Sequence, residues 1–156
     1  MNIKRIFRIV CLLLLSAGFS ACRQQKVYYH FEHTPLNGWE KNDTLIYDVS
    51  PQESDCVLRE EVGLRINSRY PFQKLCLVLE QEILPSHTIR HDTLFCELYN
   101  KHGQIKGRGI NYYKYNFHLT DLSLARGDSL HISLRHNMKR EILTGIADIG
   151  IMLERY

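Results

Sequence analysis

The 156-residue sequence predicts an all-β fold: an antiparallel β-sandwich of about eight strands, jelly-roll-like, behind a cleaved leader. Three observations carry that expectation. Apolar and polar residues alternate at a period of two along most of the chain, turn-forming residues sit between those runs, and helical spacing is scarce. A strand sends successive side chains to opposite faces, so each run buries one face and wets the other. A closed barrel is the alternative. A transmembrane barrel would need more strands and a lipid-facing apolar band.

The first element lies outside the fold. Residues 2–8 carry Lys4, Arg5 and Arg8, Ile9 to Leu15 is apolar, and Ser16 to Ala21 narrows towards small side chains. The apolar run is about half the ~20 residues a spanning helix needs. Phe19-Ser20-Ala21-Cys22 resembles the bacterial lipobox, with Phe where Leu is usual. Residues 1–21 are therefore expected to be a lipoprotein signal peptide, with Cys22 the lipidation site. An ordinary secretory signal followed by a chance Cys is the plainer alternative. Two or three palmitate-type acyl chains anchor stably where one is marginal. Residues 22–26 form the lipidated Cys and a short tether, and 27–156 a single domain, a length that buries a core without staples.

The runs follow in order. Leu45, Tyr47 and Val49 alternate with Ile46 and Asp48; Val62, Leu64 and Ile66 with Gly63, Arg65 and Asn67. Leu75, Leu77 and Leu79 form the next face, then Leu94, Cys96 and Leu98, then Leu130, Ile132 and Leu134, then Ile149, Ile151 and Leu153. Turns are expected at Pro35 to Gly38, Ser50-Pro51, Tyr70-Pro71, Leu84-Pro85-Ser86, Asn100 to Gly103, Arg126-Gly127-Asp128 and Thr144-Gly145. Asn100 to Gly103 is placed to close a hairpin between 93–99 and 104–109. Residues 137–143 have the composition for one or two helical turns, and 53–60 read either way.

Composition excludes some functions. The chain has 20 Lys+Arg against 17 Asp+Glu, but the leader holds three of the basic residues and no acid, so residues 22–156 are formally neutral. No Lys/Arg cluster survives in sequence to neutralise nucleic-acid phosphates or acidic lipid headgroups. Neutrality suggests contacts made through shape rather than steering. Beyond Cys11 and Cys22, three cysteines remain, Cys56, Cys76 and Cys96, so at most one internal disulfide can form. Buried free thiols are expected, since Cys packs as a small hydrophobe.

Motifs for chemistry are sparse. His87 and His91 are four apart but follow a Leu-Pro-Ser turn, His30 and His33 have no matching ligand cluster, and His131 and His136 fall on opposite strand faces. No metal or other cofactor is expected. No Gly-x-Ser-x-Gly elbow is present, the paired acids Glu60-Glu61 and Glu80/Glu82 are expected at turn or strand-surface positions, and no enzyme activity or small-molecule substrate is assigned. Gly103 to Gly109 is glycine-rich, yet no helix follows to present a dipole to phosphate. Tyr112, Tyr113 and Tyr115 are candidate ligand-contact aromatics, or half-buried tyrosines of a sheet edge. Trp39 is expected to pack into the core. Asp43-Thr44-Leu45, Asp92-Thr93-Leu94 and Asp128-Ser129-Leu130 resemble the O-glycosylation sequon of Bacteroidetes envelope proteins, which makes Thr44, Thr93 and Ser129 candidate sites. Turn exits use the same residue types.

The order of landmarks is similar to the gliding motility lipoprotein GldH family of Bacteroidetes. After the lipobox come an aromatic stretch (Val27 to Phe31) ending in Trp39, the segment Arg65-Ile66-Asn67-Ser68-Arg69-Tyr70-Pro71-Phe72, the central Gly107-Arg108-Gly109, and a C-terminal block from Met138 to Thr144-Gly145-Ile146-Ala147-Asp148-Ile149-Gly150. The central loop departs from relatives that carry Trp after the glycines. The resemblance implies a cell-envelope lipoprotein tied to gliding and the linked protein-secretion machinery, with other envelope proteins as partners, and supplies no catalytic residue. Residues 23–26 lack the early acidic residues that surface-exported lipoproteins share, which implies an outer-membrane anchor facing the periplasm. A glycan- or peptidoglycan-binding envelope lipoprotein, using exposed Tyr112, Tyr113 and Tyr115, is the competing expectation.

Overall fold

The computed structural model describes residues 25–156, so the leader and Cys22 lie outside the described residues. Ten strands form among the described residues, eight of them five residues or longer. They are β1 (Gln25–His33), β2 (Trp39–Glu40), β3 (Leu45–Val49), β4 (Cys56–Asn67), β5 (Lys74–Leu84), β6 (Thr88–Glu97), β7 (Tyr112–Leu124), β8 (Ser129–His136), β9 (Ile142–Leu143) and β10 (Ile146–Arg155). Two four-stranded antiparallel sheets result, ordered β1-β10-β4-β7 (sheet I) and β3-β8-β5-β6 (sheet II), with β2 and β9 pairing as a short ribbon. The all-β sandwich expected from the alternation is therefore the fold.

The inward set is the one the period-two runs name. Leu58, Val62 and Leu64 of sheet I face Leu75, Leu77 and Leu79 of sheet II, and all are essentially inaccessible. Truncating one such leucine to alanine costs roughly 2–5 kcal/mol. The Tyr47 hydroxyl crosses the sandwich to donate to the Ile149 carbonyl at 2.8 Å, which gives a buried polar group its partner. The Trp39 ring, fully buried, closes one end: its Nε1–H donates to the Asp43 carbonyl at 3.0 Å, and His136 meets its ring edge-on at 5.0 Å. Burial lowers the His136 pKa below its ordinary value.

Two local expectations are corrected, and one open reading resolves. Residues 104–109 form no strand. Strand β6 pairs with β5 instead, and beyond the Asn100–Gly103 turn the chain forms isolated bridges, Tyr99–Ile105 and Arg108–Lys114. Gly107 and Gly109 leave that segment no alternating apolar face to bury. Residues 137–143 form no helix: Met138 bends back so that its sulfur accepts the Cys76 N–H at 3.4 Å, and Ile142–Leu143 pairs with Trp39–Glu40. The ambiguous 53–60 becomes strand from Cys56 onward. Cys56, Cys76 and Cys96 are free thiols. Cys76 and Cys96 point to opposite faces of sheet II, since Cys96 is buried opposite Leu75 while Cys76 pairs with exposed Phe95.

Register gives the sandwich two unlike ends. At one end lie Gln25, Arg155, the 50–55 loop and the 125–128 turn, tied together because Gln25 pairs Arg155 and Gln52 N–H donates to the Asp128 carbonyl. At the other lie the 34–44, 67–74, 97–114 and 136–147 segments, held by Asn67 N–H to the Gly145 carbonyl, Lys41 N–H to the Glu141 carbonyl and Leu98 N–H to the Gln73 carbonyl.

Candidate functional site

The outer face of sheet I carries a concavity lined by aromatic and charged side chains. Its floor is set by two strand glycines: Gly150 of β10 pairs with Gly63 of β4 on one side and with Phe31 of β1 on the other. With no Cβ on either, the Phe31 ring lies flat across both; a Cβ would fall 2.4 Å from the ring at Gly63 and 2.5 Å at Gly150. Tyr29 packs beside Phe31, ring centroids 5.3 Å apart.

Polar groups form the other wall. Asp148, its side chain only 4% exposed, lies between Arg65, 2.6 Å away, and His33. A buried carboxylate needs such partners to stay charged. The Arg65 guanidinium in turn covers the Tyr112 ring at 5.2 Å. Tyr29, Phe31, His33, Arg65, Lys114 and Asp148 bound a groove of about 240 Å³, and a second hollow of about 250 Å³ continues past Arg65 towards Arg69 and Tyr112. The arrangement offers an aromatic floor, donors from Lys114 and His33, and a fixed Arg–Asp pair.

The tyrosines separate. Tyr115 is 6% exposed and sends its hydroxyl to the Leu98 carbonyl at 3.3 Å, so burial corrects its reading as an exposed contact. Tyr113 is half-buried on the same inner side, and Tyr112 alone is exposed. Strand alternation turns Leu94 and Leu130 inward, so the candidate glycosylation positions Thr93 and Ser129 stand on the outer side of sheet II, opposite the groove, while Thr44 lies in the loop just before β3. Thr44 and Thr93 are exposed and Ser129 is half-buried.

Phe31, Arg65, His33 and Asp148 were not singled out as site residues in the sequence. The one available signal was a glycine inside each of two strand patterns, Gly63 and Gly150, which marks close approach by another group.

One carboxyl is strongly perturbed. Glu60 of β4 and Gln81 of β5 meet inside the sandwich, both inaccessible, with Gln81 Nε2 donating to Glu60 Oε2 at 3.0 Å. Burial pushes the Glu60 pKa up to about 7. Glu60 Oε1 and Gln81 Oε1 are both without partners, and a proton on Glu60 would turn one of those acceptors into a donor. Glu60 is sealed in the core, which corrects the turn or strand-surface position expected for it, and does not line the groove.

Comparison with known proteins follows this geometry. Residues 26–153 match the family model described as GldH lipoprotein. The chain is 27% identical over 151 residues to Gliding motility lipoprotein GldH of Flavobacterium johnsoniae, covering 92% of this chain and 94% of that one. Among solved structures, a CocE/NonD family hydrolase from Staphylococcus aureus matches 85% of this chain at 8% identity and TM-score 0.45, this chain covering 34% of that one. A non-crystalline cellulose specific carbohydrate-binding module matches 79% of this chain and 69% of its own at 10% identity and TM-score 0.42. At those values neither structure bears on what this chain binds or does. The family match spans the sandwich from β1 into β10, and the chain belongs to the GldH lipoprotein family.

Proposed function

We propose that this chain is an outer-membrane lipoprotein facing the periplasm, anchored through acylated Cys22. In this reading it is a non-enzymatic accessory or assembly component of the gliding-motility and associated protein-secretion machinery. Membership of the GldH lipoprotein family carries the reading. Geometry supports the anchoring. Strand β1 begins at Gln25, three residues after Cys22, a reach of at most ~10 Å. The end formed by Gln25, the 50–55 loop and the 125–128 turn therefore lies against the membrane. Confinement to that plane raises the effective concentration of weakly binding partners without new contacts. The experiment is cross-linked co-purification from detergent-solubilised envelopes, wild type against Cys22→Ala. Motility or secretion components enriched with wild type support the proposal, and recovery equal to the control sinks it.

The aromatic floor of Tyr29 and Phe31 favours a second reading, an envelope lipoprotein that binds glycan or peptidoglycan with no part in motility. Titration with soluble peptidoglycan fragments discriminates: a saturable heat, lost in Tyr29→Ala, supports it. Glycans on Thr44, Thr93 or Ser129 would cover sheet II and leave the groove face open. Intact mass in excess of protein plus lipid, abolished by Thr→Ala changes, is the expected sign.

A further inference from the structure

Neutrality of the mature chain conceals a separation of charge. The segments at the Trp39 end (34–44, 67–74, 97–114 and 136–147) hold nine Lys/Arg against four Asp/Glu, a net +5, while the remainder of 22–156 holds eight against thirteen. Folding gathers basic residues scattered through the sequence, which corrects the expectation that no basic cluster survives. Arg69, Lys101, Arg108, Lys114, Lys139 and Arg140 are all exposed. Among the described residues none of these six has a carboxylate partner; only Lys74 and Lys106 at this end do, and both share Glu97. The same loops bear the most exposed aliphatic side chains among the described residues, Leu36 at 95% and Ile110 at 88%, with Ile142 close behind Gly38.

We propose that this basic, aliphatic-studded end is the docking surface for a protein partner that presents acidic side chains around an apolar patch. Charge complementarity selects acidity, and the unsheltered aliphatics select a protein over a nucleic acid or polysaccharide, which offers them no apolar counterpart. The acidic remainder of a second copy also fits by charge. Anchoring at Cys22 opposes that: copies in one membrane stand parallel, every far end pointing away from the bilayer, so one copy's far end does not face the acidic flanks or base of its neighbour. The argument against a second copy thus rests on the anchored reading above. A charged end also steers encounter, so association weakens steeply with salt.

The test uses the full-length protein in its host envelope, with a photo-reactive amino acid at Leu36, Ile110 or Ile142, and at Ile89 near the opposite end as control. Cross-linked peptides are sequenced. The expected result is adducts from the three distal positions to a net-acidic protein segment, reduced at least fivefold in the Arg69→Glu/Lys139→Glu/Arg140→Glu variant and unchanged at Ile89. Circular dichroism of that variant, whose three side chains are all exposed, confirms an intact fold. No distal adduct, an adduct to lipid, glycan, a second copy or a basic segment, or an adduct indifferent to charge reversal overturns the proposal. Membrane fractionation of the same cells separates the two readings, because loss of anchoring alone would free the protein yet leave the distal adducts in place.

Discussion

Substituting the two floor glycines probes the groove through a change of sign. Alanine at Gly63 places its Cβ 2.4 Å from Phe31 Cζ, the free tip of a side chain that can swing out. Alanine at Gly150 meets the ring base (Cγ and Cδ2, 2.5 Å) and also the His30 carbonyl oxygen at 2.7 Å, which is backbone and cannot move. Overpacking of this kind costs about 1–3 kcal/mol, whereas replacing a strand glycine by alanine otherwise gains about 0.5–1 kcal/mol. Gly63→Ala should therefore destabilise by ~1 kcal/mol in wild type and stabilise by ~0.5 kcal/mol in a Phe31→Ala background. Gly150→Ala should cost ~2–3 kcal/mol in wild type and remain destabilising without Phe31, because the carbonyl clash persists. The coupling between positions 31 and 63 is then ~1.5 kcal/mol, within the range for residues in contact. Urea unfolding of the four-member cycle, with unchanged m-values, measures it. A Gly63→Ala cost that is the same with and without Phe31 would refute the ring-over-glycine floor.

Two other outcomes follow from the core. Glu60, with its folded pKa raised to about 7, is protonated in the native state while ionised in the unfolded chain. Its stability contribution is complete below the unfolded value and is lost as pH rises through about 7, of order 3 kcal/mol in all. Glu60→Gln should flatten the stability profile between about pH 4.5 and 7 and exceed wild type at pH 8, as read by urea midpoints against pH. Among the thiols, burial pushes the Cys96 pKa up to about 12, while Cys76 is half-exposed on the outer side of sheet II. Maleimide should therefore label Cys76 in the native protein and reach Cys96 only on unfolding, by peptide mass mapping.

Alternation made the sandwich legible because a strand with one wet face must write that face into its sequence: Leu75, Leu77 and Leu79 are inaccessible, as their spacing implies. Trp39 was legible for a similar reason, since an indole that large is rarely left in water. Segments that bury no face of their own were not legible. Residues 104–109 and 137–143 take their shape from neighbours, through the Tyr99–Ile105 bridge and the Met138 contact with Cys76. The groove depends on which strands become neighbours, and no local pattern says that Phe31 will lie across Gly63 and Gly150. Charge segregation was hidden for the same reason, as net charge is a sum and loses position. The tyrosine run shows the reverse error: three aromatics in four residues look like one surface, yet strand parity sends Tyr113 and Tyr115 inward and Tyr112 out.

The anchor is the premise on which membrane orientation, effective concentration and the far-end docking surface depend. Intact mass spectrometry of the protein extracted from envelope membranes addresses it directly. The account expects a mature chain beginning at Cys22 and carrying diacylglyceryl and N-linked acyl chains, absent from the aqueous fraction. A free, unmodified Cys22 thiol on protein recovered from that fraction would contradict it.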